Sequence, residues 1–388
     1  MITYVDANHQ VYVADPDGGR PRLLEAGSKA CTWPVWSPGG THVAFSGMTS
    51  GSNGSGHIRL YVHDLGEDPA TAVFANEPGA DGIAPSTPHY TLWSPNGEKL
   101  AFVARTWPTG MALFVADLAG DEPPKRVIDG APLFLSWSPD SRFLLVHSGQ
   151  DHYLLDFRGD RGMVRVPGTS RSYMAPCWSP LTSRMALLNE GSDGRQALLT
   201  GDTEGGVAAQ VLEIDGSAAF AWSPDGGSIG LVSGLKGRSR FYGGLWVVDP
   251  DGGGERLLAD GLILCFYWSP SGGEIAYITP SERAEGSVRW AIVDVKSGSM
   301  RYLADFRPTE EQLTAYMFFD QYVQSHDPWS PGGNSLIFSG ALGYHKARAA
   351  LPPASEAAVL VADADGGRAP TAVAEGFLGF WSPSGGDA

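Results

Sequence analysis

Trp222-Ser223-Pro224-Asp225-Gly226-Gly227 decides the fold. Pro224 fixes φ, and Asp225-Gly226 supplies the left-handed positions that a tight hairpin needs. A short apolar strand follows over residues 228–232, then a loop over 234–244. Leu245-Trp246-Val247-Val248-Asp249 is rich in β-formers and reads as a second strand. Asp251-Gly252-Gly253 turns the chain, Arg256-Leu257-Leu258 makes a third strand, and residues 262–268 make a fourth ending in another Trp. Four antiparallel strands per unit of about 45 residues make one propeller blade.

The Trp-Ser-Pro signature occurs eight times, beginning at Trp36, Trp93, Trp137, Trp178, Trp222, Trp268, Trp329 and Trp381. The spacings are 57, 44, 41, 44, 46, 61 and 52 residues, and joining the chain's end to its start gives 43. The expected fold is therefore all-β: an eight-bladed propeller, one domain over residues 1–388. We letter the strands of a blade A to D, with A innermost and ending in the motif Trp. The eighth blade takes strand A from residues 376–381 and strands B, C and D from residues 2–5, 10–14 and 22–24. Pairing the two ends removes an exposed sheet edge.

This grammar resembles the TolB-type propeller repeat, whose units carry Trp-Ser-Pro-Asp-Gly, an Ile-Ala-Phe-like strand and a Tyr-Val-x-Asp strand. Val43-Ala44-Phe45, Leu100-Ala101-Phe102 and Ile275-Ala276-Tyr277 match the second element; Leu60-Tyr61-Val62-His63-Asp64 and Val11-Tyr12-Val13-Ala14-Asp15 match the third. The resemblance covers essentially the whole chain. Leu181, Gly39 and Gly332 depart from it in place of the turn Asp, and eight units exceed the six or seven expected of many relatives. It implies a propeller and says little about chemistry, because the repeat serves binding proteins, peptidase gating domains and lyases alike.

A net charge of −16 without Lys/Arg runs disfavours nucleic acid. No segment approaches 18 apolar residues, so no membrane span is expected. The three cysteines, Cys31, Cys177 and Cys265, fall on different units and read as buried free thiols. Asp15-Pro16-Asp17-Gly18-Gly19 and its counterparts at 249–253 and 363–367 lack the later acidic ligand of a calcium loop and read as hairpin turns. Met1 as the native start implies a cytoplasmic protein; a removed leader implies a periplasmic or secreted one. A monomer is expected.

Strand parity puts the B–C and D–A loops on one face and the A–B and C–D turns on the other. The insertions, at 47–57, 76–90, 279–289, 304–327 and 340–356, all fall on the first face. They build a wall over one half of it, and long loops on a rigid scaffold are where function usually sits. The expected site is the channel mouth on that face. Ala315-Tyr316-Met317-Phe318-Phe319-Asp320-Gln321-Tyr322-Val323-Gln324-Ser325-His326-Asp327 is too aromatic for a solvent loop and lines a pocket, plugs the channel, or does both. Phe318, Phe319, Tyr322 and Gln324, with Trp33, Phe134, Tyr173 and Met174 from other blades, are the candidate ligand-binding residues. A small molecule, peptide or protein partner is expected there. The other reading is a propeller enzyme, a lyase or a biosynthetic cyclising enzyme, with His326, Asp327, His89 and Tyr90 as acid–base groups. No cofactor is expected. Some lyases with related repeats hold a divalent ion through channel-facing histidines, which makes a metal at His89 and His326 the alternative.

Overall fold

The computed structural model describes residues 1–388 apart from 25–26, 28–29, 51–55, 68, 76–89, 107–109, 160, 171–173, 204–205, 236–240, 284, 344–350 and 384–388. The described strands form six four-stranded antiparallel sheets and one of seven strands. The seven-stranded sheet is two blades fused. Strand D of the sixth blade, Met300–Pro308, pairs at its end with strand B of the seventh, Ser335–Leu342, through Phe306↔Leu342 and Pro308↔Gly340. Strand A of the seventh blade is reduced to a single bridge between Trp329 and Leu336, because the residues before it leave the sheet. Eight blades result, as the motif count requires.

Closure runs as expected. The C-terminal strand Leu378–Trp381 pairs antiparallel with Ile2–Val5, from Ile2↔Trp381 to Val5↔Leu378. Phe377 N–H donates to Val5 O at 3.0 Å and Ser382 N–H to Met1 O at 3.0 Å, so the seam extends past both strand ends.

The motif has a physical reason residue by residue. The indole Nε1 of Trp93, Trp137, Trp178, Trp268 and Trp329 donates to a carbonyl on strand A of the preceding blade, on Val35, Leu92, Ser136, Ala221 and Tyr267 respectively, at 3.0–3.4 Å. Each acceptor is the residue just before that blade's own Trp, so one bond recurs at five of the eight motifs, while the Nε1 of Trp36, Trp222 and Trp381 is buried without a partner among the described residues. The motif serine then closes the A–B turn: Ser37, Ser94, Ser138, Ser223, Ser269 and Ser330 Oγ accept the N–H five residues on. At Ser138 and Ser223 the hydroxyl also donates to the turn Asp, both Asp140 and Asp225 bonding at 2.5 Å. Where Leu181 replaces that Asp, Ser179 Oγ is buried without a partner and Thr182 Oγ1 takes the Arg184 N–H instead.

The Asp-Gly-Gly segments are hairpin turns: Asp15 N–H bonds Gly19 O and Asp249 N–H bonds Gly253 O. All three cysteines are free and buried. No helix among the described residues is long and apolar enough to cross a membrane.

Candidate functional site

Residues 309–328 leave the sheet and enter the central channel from the face that bears the B–C and D–A loops. Thr309 starts the excursion twice over. Its Oγ1 accepts the Gln312 N–H, capping helix α1 (Glu310–Met317), and donates to Phe377 O of the eighth blade at 2.6 Å. Glu310 and Glu311 in the first turn complement the helix dipole. A one-turn helix α2 (Phe319–Tyr322) follows, all four residues buried.

An inner strand pairs only with strand B, so its other edge presents unpaired backbone groups to the channel. The plug satisfies them. Gln321 Oε1 accepts from Leu135 N at 2.8 Å and its Nε2 donates to Leu135 O at 3.0 Å, as a neighbouring strand would. Asp320 Oδ2 accepts the Ala175 N–H at 2.7 Å, and Gln312 Oε1 the Ser339 N–H at 3.0 Å. Rings fill the rest. Tyr322 packs on Trp33 (4.9 Å between centroids) and Tyr90 (5.3 Å), and Phe319 on Phe266 (5.1 Å). The two largest apolar clusters of the ring meet at this insertion: Tyr316 and Phe319 belong to one, Ala315 and Tyr322 to the other. Of the two sequence readings of the aromatic insertion, the observed arrangement is the plug.

The candidate residues are placed as follows. Trp33, Tyr90, Phe134, Met174, Phe319, Tyr322 and His326 are buried, Phe318 and Gln324 are half-buried, and His89 and Tyr173 lie outside the described residues. The structure brings Trp33, Tyr90, Phe134, Tyr322 and His326 together as plug and socket. Trp33 reaches Tyr322 through a β-bulge in strand A of the first blade, where it takes a left-handed φ of 55°. A bulky residue adopts that conformation only when its surroundings demand it.

The chemistry of these groups follows from their enclosure. Burial pushes the Tyr90 and Tyr322 hydroxyls well above their ordinary range. Burial also lowers His326 to about 3, against the opposing Pro34 carbonyl. Its Nδ1 bonds Ser325 Oγ at 2.7 Å, and Phe380, Tyr322 and Trp33 pack around the ring. An imidazole so enclosed is neutral and has no opening for an ion. The described residues contain no group of three or more His, Cys, Asp or Glu able to hold a metal. His326 does not fit the metal reading.

Desolvation raises buried Asp320 from 3.8 to about 6. A carboxyl whose folded pKa exceeds its unfolded one favours the fold while protonated and loses that contribution as pH rises from about 4 through 6. Asn at this position keeps an acceptor for Ala175 N–H without the charge. Asp320→Asn is therefore expected to be more stable than the parent at pH 8, by about 1–3 kcal/mol, with the gain vanishing by pH 4. Denaturant melts at the two pH values check this; a loss at pH 8 would show the charge to be stabilising.

The plug does not fill the channel to its far end. Residues 323–327 emerge beside the Trp-Ser-Pro motifs and form the floor of a bowl open to the opposite face. One lobe, about 370 Å³, is walled by Trp36, Trp93, Trp329 and Trp381 with Gln324 and Asp327 on its floor. A second, about 360 Å³, lies between Trp93, Trp137 and Trp178 and also meets Gln324. Exposed motif prolines, Pro38, Pro95, Pro180, Pro270, Pro331 and Pro383, stand at the rim. Asp327 Oδ1 accepts the Trp329 N–H at 2.9 Å, and Oδ2 has no hydrogen-bond partner among the described residues. The residue is exposed and lines the bowl, and desolvation by the protein around it raises its carboxyl to about 7. The sequence reading placed Gln324 and Asp327 at the mouth that bears the B–C and D–A loops, whereas they lie beside the Trp-Ser-Pro motifs at the other. The signal for this one was the motif itself, whose short turns all lie on one face.

No family model matches the sequence, and no curated protein matches it. Solved structures do. The chain is similar to a eukaryotic initiation factor (13% identity, TM-score 0.57, 98% of each chain covered) and to an oligogalacturonate lyase in complex with manganese (17%, TM-score 0.52, 93% of this chain and 95% of that one). It is also similar to TolB from Acinetobacter baumannii, at 19% identity and TM-score 0.36, covering 64% of this chain and spanning 61% of that TolB's length. Likeness at these identities is likeness of fold. Taken with the closed ring of four-stranded sheets, it identifies the chain as a β-propeller.

Proposed function

We propose that this protein is a binding propeller, a scaffold that takes a peptide or protein partner across the face bearing the B–C and D–A loops. The observation that carries this reading is the plug. It turns that mouth into a solid floor, with Trp33, Phe134, Met174, Phe319 and Tyr322 holding the floor in place. Met48, Leu262 and Leu342 near strand ends, Leu235 just after one and Met317 at the end of α1 belong to segments of this face and are each exposed by 37–44%. Scattered exposed apolar residues are ordinary, but five on one face, two of them adaptable methionines, suit a docking surface. Immobilised protein should capture a partner from a lysate of its native source that the Met317→Asp/Leu342→Asp variant, equally stable, does not. Equal capture by both would end this reading.

The enzyme reading has one observation on its side, the near-neutral Asp327 carboxyl, since a general acid or base works best with a pKa near the working pH. His326 and Tyr90 are enclosed and oppose it. On that reading Asp327→Asn lowers any turnover found by about 100-fold or more.

A further inference from the structure

We propose that the Trp-Ser-Pro mouth is a second binding site, specific for an α-ammonium group with a carbonyl beside it, the chemistry of a peptide amino terminus or an amino-acid amide. The floor of the bowl carries two polar groups of opposite demand. Asp327 offers an unengaged carboxylate oxygen next to one fixed by Trp329 N–H. Gln324 lines both lobes, and its Nε2 is buried beneath the floor with no partner among the described residues, a donor that meets a ligand carbonyl once the amide turns toward the bowl. Both line one lobe of about 370 Å³, a size that holds one to a few residues of a peptide, and a second lobe continues from Gln324. The ligand therefore needs a cationic donor for Asp327 and a carbonyl for Gln324, and the walls of Trp, Val323 and Pro call for an apolar body around them.

Anions are disfavoured twice, by Asp327 and by the net charge of −16. A bare metal ion is disfavoured because Asp327 belongs to no group of three or more carboxylates, histidines or cysteines among the described residues, and neighbouring His326 is buried against Phe380. An unaccompanied amine would leave the buried Gln324 Nε2 without the acceptor that it lacks. The α-ammonium with its adjacent carbonyl meets both demands at once, because the two groups are separated by a single carbon.

Calorimetric titration of the full chain with phenylalanine amide, the tripeptide amide Phe-Ala-Ala-NH2 and their N-acetyl counterparts tests this. Saturable binding of the free amines is expected, weakened at least tenfold by acetylation. Asp327→Asn, which keeps an acceptor for Trp329 N–H and so should preserve the fold, is expected to weaken binding by a similar factor. Gln324→Leu should weaken it less while leaving the melting temperature in place. Tighter binding of the tripeptide assigns the site to peptide amino termini, and binding of phenylalanine amide alone assigns it to free amino compounds; either supports the site. Equal binding of acetylated and free ligands, an unaffected Asp327→Asn, or no binding by any of these probes would overturn it. The site lies on the face opposite the scaffold's docking surface, so Met317→Asp/Leu342→Asp is expected to bind these amines unchanged, and either reading can fail without the other.

Discussion

Removal of residues 376–388 is expected to unfold the ring or drive it into oligomers. The strand lost is the whole inner strand of the eighth blade, Leu378–Trp381, which forms four pairs with Ile2–Val5. It also carries Phe377, Leu378 and Phe380, all buried, and the carbonyl that receives Thr309 Oγ1. Burial of one such ring is worth about 3–5 kcal/mol by truncation, so two rings and a leucine approach the about 5–15 kcal/mol that holds a typical domain. His326 would lose its closest ring neighbour, Phe380 at 4.3 Å. The plug would thus loosen with the seam. Strand Ile2–Val5 would be left as an open apolar edge, the condition under which chains pair with one another. Circular dichroism and size-exclusion chromatography check this: an unchanged melting temperature with monomeric elution would show that the seam is not what closes the ring.

The seam was legible in the sequence because it rests on local grammar. Each hairpin is specified within a few residues, by Ser37 or Ser223 capping its own turn and by alternation along the strands. Blade count, closure and the identity of the inserted segment all follow from such short-range signals. The plug was half legible. Its aromatic content marked residues 315–327 as too aromatic for a solvent loop, yet pattern alone could not tell a pocket wall from a channel filler. That choice depends on long-range partners, Leu135 for Gln321 and Ala175 for Asp320, each well over 100 residues away. The loss of strand A in the seventh blade has the same origin. Residues 309–327 satisfy channel-facing groups of other blades rather than extending their own sheet. The bowl was least legible of all: its walls are motif residues whose structural duty accounts for their presence, and only the end point of the plug shows that Gln324 and Asp327 face them.

The polar atoms of the plug should differ in sign when removed, and Gln321→Ala is expected to be the most damaging single change among them. Gln321 makes two hydrogen bonds to one residue, and both Leu135 groups are buried behind α2. Truncation leaves an N–H and a C=O without partners where packed rings exclude water. Each such orphan costs about 1–3 kcal/mol, so a loss of about 2–5 kcal/mol is expected, with faster amide exchange at Leu135. Tyr322→Phe should do the reverse. The Tyr322 ring is clasped by Trp33 and Tyr90, but its hydroxyl is buried with no partner among the described residues. Deleting that oxygen keeps the stacking and removes a desolvated group, so stability should hold or rise by about 1 kcal/mol. Tyr322→Ala would instead open a cavity and cost about 3–5 kcal/mol. Denaturant midpoints of the three variants separate the contributions. Should Gln321→Ala prove neutral, water reaches the inner edge of the third blade, and the plug seals the channel less tightly than its rings suggest. Should Tyr322→Phe destabilise, the hydroxyl has a partner, most simply a water held inside the socket, and the channel is wet along its length.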